Sequence, residues 1–147
     1  MKTETRKMTA CDAGEVLEMM RTFYSSPAVH TNGSDEIFSS DIAQCVGDNP
    51  FVEGYIFCDG DEIQGYGMIA KSYSTEFGKN CIWIEDIYVK PHYRGGGIGT
   101  GFIRLISEKY ADCLIRLEAE ADNKYALRVY ENCGFSVLPY LEMIKNG

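Results

Sequence analysis

Ile84 to Phe102, IEDIYVKPHYRGGGIGTGF, constrains the fold more than any other stretch of this chain. It begins in a strand whose apolar side changes parity, with Ile82 and Ile84 on even numbers but Ile87 and Val89 on odd ones. Strand side chains alternate with period two, so the change requires one extra residue in the ladder, most simply a β-bulge at Glu85-Asp86. A bulge leaves backbone polar groups that need other partners. Pro91 stops the strand. Arg94-Gly95-Gly96-Gly97-Ile98-Gly99 then runs into a helix on which Ile98, Phe102, Leu105, Ile106 and Tyr110 recur at helical spacing. The glycine loop therefore sits on a helix N-terminus.

Four glycines in five positions exceed what a strand-to-helix turn needs, because unused backbone freedom costs entropy. The free N–H groups and positive dipole end of the helix attract a phosphate, and Arg94 adds a forked cationic donor. A strand with exposed backbone beside a phosphate cradle suits a ligand carrying both an amide-bearing arm and a pyrophosphate. Coenzyme A is such a ligand. Two rival phosphate motifs fail on spacing: no Gly-x-x-x-x-Gly-Lys-Ser/Thr occurs, and no glycine register between 95 and 101 completes Gly-x-Gly-x-x-Gly.

Arg94 to Gly99 fits an Arg/Gln-x-x-Gly-x-Gly/Ala signature, and Asn123, Ala126, Tyr130 and Gly134-Phe135 fit an N-x-x-A-x-x-x-Y-x-x-x-G-F block. With IEDIYVKPHYRG as strand and turn, the pair resembles the GNAT superfamily of acyl-CoA-dependent N-acetyltransferases. The two blocks cover roughly the C-terminal 65 residues, in the family's order. The resemblance implies an α/β (α+β) fold with a mixed, mostly antiparallel sheet, a central parallel pair and about four flanking helices. It also implies acetyl-CoA as co-substrate and a single N-acetyltransferase domain over residues 1–147.

The length suits one domain able to bury a core without staples. A formal charge of −8 disfavours nucleic acid and anionic membranes as partners and would draw in a cationic substrate. Six cysteines, at 11, 45, 58, 81, 113 and 133, contain no Cys-x-x-Cys pair, and only His30 and His92 could join them as ligands. That scatter reads as free thiols in a reducing cytoplasm, with no metal. No apolar run is long enough to be a signal peptide or a membrane span. A homodimer stays open.

Along the chain, residues 3–9 read as a first strand, and Asp12-x-x-Glu15 as a capping box for a helix carrying Ala13, Val16, Leu17, Met20 and Phe23 inward. A loop from Ser25 to Gly33 follows. Ser34 caps a second helix with Phe38, Ile42, Cys45 and Val46 inward. Phe51 to Cys58 and Glu62 to Tyr73 form a hairpin turned at Asp59-Gly60, and Gly65 and Gly67 signal a bulge or a close neighbour. Ile115 to Ala121 alternates as a strand, which makes 82–121 a right-handed β-helix-β unit. Asn123 opens a last helix, Gly134 gives it a left-handed stop, and Phe135 to Lys145 reads as one or two strands broken at Pro139.

Acetyl transfer to an alkyl amine needs a base, because an ammonium with pKa near 10.4 is only about one part in 10³ neutral at pH 7, a handicap of roughly 4–5 kcal/mol. The departing thiolate needs an acid. Glu85, at the bulge, is the expected base, with Glu118 and Glu120 as substitutes or as an acidic wall for a cationic substrate. The bland alternative is that Glu85 or Asp86 faces solvent or pairs with a cation. By resemblance, Tyr130 is the acid, while its ring packs on Phe135 in the helix ending. Arg94, Gly95, Gly96, Gly97, Ile98, Gly99 and Thr100 are expected on the pyrophosphate. Ile87, Tyr88 and Val89 would meet the pantetheine arm through backbone, and Asn123 would contact that arm or simply cap its helix. Tyr24, His30, Tyr66, Tyr73, Trp83 and Glu118 are acceptor-pocket candidates. No cysteine occupies a catalytic motif position, so transfer would be direct to a small cationic amine or a peptide amine. The rival reading is a non-catalytic acyl-CoA-binding regulatory module.

Overall fold

The computed structural model describes residues 2–29 and 33–147, so His30 lies outside the described residues. Strands β1 (Glu4–Lys7), β2 (Val52–Asp59), β3 (Glu62–Ser74) and β4 (Lys79–Val89) are antiparallel neighbours, and β5 (Leu114–Leu117) lies parallel to β4. Their spatial order is that of the sequence. Helices α1 (Ala13–Tyr24) and α2 (Asp35–Val46) precede β2, α3 (Ile98–Lys109) joins β4 to β5, and α4 (Lys124–Asn132) follows β5. Among the described residues no helix is long and apolar enough to cross a membrane.

Each sheet face carries its own core, as the alternation of the strands dictates. Val16, Met19 and Met20 of α1 and Phe38, Ile42 and Cys45 of α2 pack on Ile56, Tyr66, Met68 and Tyr88. On the other face Phe102, Ile103 and Ile106 of α3 pack on Tyr55, Phe57, Ile69, Ile82 and Ile84. Ile87 and Val89 join this second core. The parity change is thus real: Met68 pairs with Asp86 but Ile69 pairs with Ile84, leaving Glu85 as the extra residue.

The two glycines inside β3 are close-approach positions. A Cβ at Gly67 would stand 2.6 Å from two ring carbons of Phe102, and one at Gly65 would stand 2.2 Å from the Tyr88 carbonyl oxygen. Ser34 caps α2 by accepting from the Ile37 N–H at 3.2 Å, and Gly60 turns the β2–β3 hairpin at φ 59°.

Three local expectations change. Asp12 stands at the N-cap of α1 but its side chain does not cap the helix, because the carboxylate takes both terminal guanidinium nitrogens of Arg6 at 2.8 and 2.9 Å and the Thr9 N–H at 2.8 Å. β5 ends at Leu117 rather than Ala121, which leaves Glu118 and Glu120 beyond the strand. Residues 135–147 form no strand: Pro139 offers no N–H, and Val137, Leu141, Met143 and Ile144 stand exposed. The parallel pair expected at the centre therefore lies at one edge of the sheet.

Candidate active site

The cleft begins where two strands part. β4 and β5 pair only through Cys81–Ile84 and Leu114–Leu117. From the bulge at Glu85 onward, β4 runs five further residues with β3 on one side and, among the described residues, no strand on the other. The backbone of Ile87, Tyr88 and Val89 therefore lines an open edge whose polar groups can serve a ligand. At its far end the Arg94 Nε donates to the Val89 carbonyl at 2.7 Å, and the guanidinium lies 5.4 Å from the Tyr88 ring centroid. That anchor leaves the outer fork of Arg94 free to meet an anion.

Gly97 is the N-cap of α3, in the left-handed region at φ 85°, and Gly95 has φ 86°. The first intrahelical bond runs from the Gly101 N–H to the Gly97 carbonyl at 2.9 Å, so the amides of Ile98, Gly99 and Thr100 precede it. Gly96 and Gly99 sit outside the left-handed region, and an added Cβ would find only ordinary contacts, 3.9 Å to the Tyr93 carbonyl oxygen and 3.7 Å to Ile87. The fold itself thus accounts for two of the four glycines. The other two leave bare backbone at a helix N-terminus, a surface that fits a pyrophosphate.

Carboxylates gather around the bulge. Glu85 reaches solvent, yet burial by surrounding protein raises its pKa, and Asp86 and Glu142 push it in the same direction. Glu118 is raised to about 7, chiefly by a hydrogen bond with Glu142, then by burial and by the charges of Glu142 and Glu85. Glu142 comes from the irregular C-terminal segment, which Tyr140 ties to the β3–β4 turn through a 2.6 Å bond to Glu76. Glu142 carries no motif, so sequence reasoning missed it. Asp86 is buried instead of facing solvent or a cation, with a hydroxyl from Tyr24 at 3.0 Å and one from Tyr66 at 2.6 Å.

Tyr130 lies on the last turn of α4. Its ring meets Phe135 edge-on at 6.2 Å, and the Phe135 and Gly134 amides bond back to the Tyr130 and Glu131 carbonyls at 3.0 Å each, with Gly134 at φ 97°. This is the Schellman ending read from the sequence. Burial, and secondarily Cys133, raises the Tyr130 pKa, so the phenol stays protonated at neutral pH and its hydroxyl donates to no described side chain. Asn123 caps α4, its side chain accepting from the Ala126 N–H at 3.2 Å.

Among the other acceptor-pocket candidates, Tyr24 lines a hollow with Arg21, Ser25, Ser34, Asp35 and Phe38. Tyr66 is fully buried and unavailable to a substrate. Tyr73 pairs with Asn80 near the β3–β4 turn, away from the bulge, and Trp83 is covered by the Arg116 guanidinium at 4.6 Å.

A bulged strand parting from a parallel neighbour beside a glycine cradle defines an acyl-CoA-dependent N-acetyltransferase. The chain belongs to the acetyltransferase (GNAT) family, whose family model matches residues 15–135. It is 34% identical over 136 residues to a thialysine N-epsilon-acetyltransferase of Sus scrofa, covering 84% of this chain and 78% of that protein. The protein of the same name from Mus musculus is 30% identical over 145 residues, covering 90% and 83%. Among solved structures, a possible acetyltransferase from Clostridium difficile 630 shares the fold at TM-score 0.82 and 18% identity, covering 99% and 97% of the two chains. Aminoglycoside N-acetyltransferase AAC(6')-Iy in complex with CoA does so at TM-score 0.81 and 12% identity, covering 99% and 95%. The protein is an acetyl-CoA-dependent N-acetyltransferase, with acetyl-CoA as its co-substrate.

Proposed function

We propose that residues 1–147 act as one cytoplasmic domain that moves the acetyl group directly to the primary amine of a small cationic molecule, with thialysine and related aminoalkyl amines as the first acceptors to test. The observation that carries this reading is the convergence of Glu85, Glu118 and Glu142 beside the open edge of β4. Three carboxylates there favour an ammonium over a neutral or anionic acceptor. The names of the sequence relatives point the same way. Cys45, Cys58 and Cys81 packed as buried free thiols suit a reducing compartment.

Acetyl-CoA supplies the thioester acyl group and leaves as the thiol. Ile87, Tyr88 and Val89 hold its pantetheine arm by backbone, with Asn123 toward the same arm, and Arg94 with Gly95, Gly96, Gly97, Ile98, Gly99 and Thr100 holds its pyrophosphate. Glu85 takes the proton of the acceptor ammonium, directly or through one water. Its raised pKa narrows the gap to an alkyl ammonium and makes it the stronger base. Glu118 and Tyr24 hold the rest of the acceptor, and Tyr130 holds a proton toward the departing sulfur.

Mass spectrometry of acetylated products from purified protein, acetyl-CoA and thialysine, lysine, linear diamines and a lysine peptide tests this reading. Free cationic amines are expected to be acetylated in preference to the peptide, with kcat lowered about 10²-fold or more in Glu85→Gln and Tyr130→Phe. Acetylation of the peptide alone would overturn the small-molecule assignment.

A further inference from the structure

Asp86 is a buried carboxylate that the proposed chemistry leaves unused. Its side chain is 3% exposed among Tyr66, Met68 and Tyr88, on the α1–α2 face of the sheet, and no cation pairs with it among the described residues. Each oxygen is instead taken by a tyrosine hydroxyl, Oδ1 by Tyr24 and Oδ2 by Tyr66. Such an arrangement is poor value for stability alone, since well-packed apolar residues of similar size serve a core as well or better.

What the arrangement does provide is a link between the end of α1 and the bulge of β4. Asp86 directly follows the extra residue of the bulge, so its backbone position dictates where Glu85 projects. Tyr24 is the last residue of α1, half-buried between the core and the hollow lined by Arg21, Ser25, Ser34, Asp35 and Phe38, and its ring packs on Phe23 at 5.3 Å and Phe38 at 5.0 Å. Tyr66 is fully buried in the sheet, paired with Tyr88. One carboxylate thus joins the end of α1, the middle of β3 and the bulge of β4.

We propose that Asp86 is a positioning residue of the transfer: by accepting both tyrosine hydroxyls it locks the end of α1 to the β4 bulge and so fixes where the Glu85 carboxylate stands in the cleft. This rests on the role given to Glu85. The titratable groups around Glu85 are Asp86 on its own strand, Glu118 after β5, Glu142 of the C-terminal segment and Tyr24 of α1, with Asp41 of α2 facing Asp86 and Tyr24. The charge of Asp86 is one of the causes that raise Glu85, so neutralising Asp86 lowers the proton affinity of Glu85.

Two measurements test the proposal on the full chain. The Glu85 carboxyl carbon, assigned with Glu85→Gln, is titrated by NMR without substrate, and Asp86→Asn is expected to move its midpoint down by about one pH unit. Steady-state kinetics with acetyl-CoA and thialysine are expected to show kcat reduced about tenfold or more in Asp86→Asn and severalfold in Tyr24→Phe. The double variant should be no slower than Asp86→Asn, because the two side chains act as a unit. Unchanged acetyl-CoA affinity in each variant confirms that the fold and cradle survive. An unmoved Glu85 titration in folded Asp86→Asn, or single-variant losses that multiply in the double variant, would overturn the positioning role. A wild-type protein inert toward thialysine would count against the proposed acceptor only, since the titration needs no turnover.

Discussion

Alanine at positions 96 and 99 separates two reasons for a loop to be rich in glycine. Gly95 and Gly97 are demanded by left-handed backbone, where alanine is strained by about 1–2 kcal/mol. Gly96 and Gly99 are not: their φ angles suit any residue, and an added methyl meets nothing nearer than 3.7 Å. Gly99 lies in the first turn of α3, where Gly→Ala contributes up to about 1 kcal/mol, and each substitution also restricts the unfolded chain. In the ligand-free protein the Gly96→Ala/Gly99→Ala variant should therefore melt higher, by roughly 2–6 °C for a domain of this size. With acetyl-CoA present the same methyls intrude where the proposed pyrophosphate meets free amides. Losing one or two charge-assisted hydrogen bonds at about 1.5–3 kcal/mol each weakens binding by about 10-fold to more than 100-fold. Scanning calorimetry gives the first quantity and isothermal titration with acetyl-CoA the second. A variant that melts higher and binds acetyl-CoA as tightly as wild type would refute the cradle, because nothing in the fold then explains the two glycines.

Two other outcomes follow from the same geometry. Glu118 titrates near 7 in the folded chain against about 4.3 when unfolded, so the folded state binds the extra proton between those values and stability falls as pH rises through them. Glu118→Gln should flatten the decline in melting temperature between pH 5 and 8, and an equal decline in wild type and variant would remove the Glu118–Glu142 pairing as its cause. Gly67→Ala places a methyl 2.6 Å from the Phe102 ring, sealed between β3 and α3, and overpacking of this kind costs about 1–3 kcal/mol. Urea denaturation should report that loss, whereas stability within a few tenths of wild type would mean that Phe102 moves aside freely.

Much of the site was legible along the chain because its signals are local. The bulge appears in the parity of Ile82, Ile84, Ile87 and Val89, since only an inserted residue lets both halves of a strand face one core. The end of α4 appears in Tyr130, Gly134 and Phe135 for a similar reason, as the left-handed residue and the returning apolar contact are neighbours in sequence. The hairpin, the Ser34 and Asn123 caps and the glycine loop belong to the same class. Less legible was where alternation stops meaning a strand. Residues 118–121 and 135–145 carry strand-like patterns, but a strand exists only where a neighbouring edge supplies hydrogen bonds, and β5 has paired its four residues with β4 before Glu118 is reached.

By itself, then, the sequence determined the order of elements as far as α4, the bulge, the glycine loop at the start of α3 and the family whose acetyl-CoA chemistry they imply, all encoded in residues within a few positions of one another. The tertiary structure alone decided which carboxylates gather around the bulge. Glu85, Glu118 and Glu142 are separated by more than twenty residues each, and Asp86 meets Tyr24 across 62 positions. Their proton affinities depend on burial and on mutual distance, and neither is a property of the chain until it has folded.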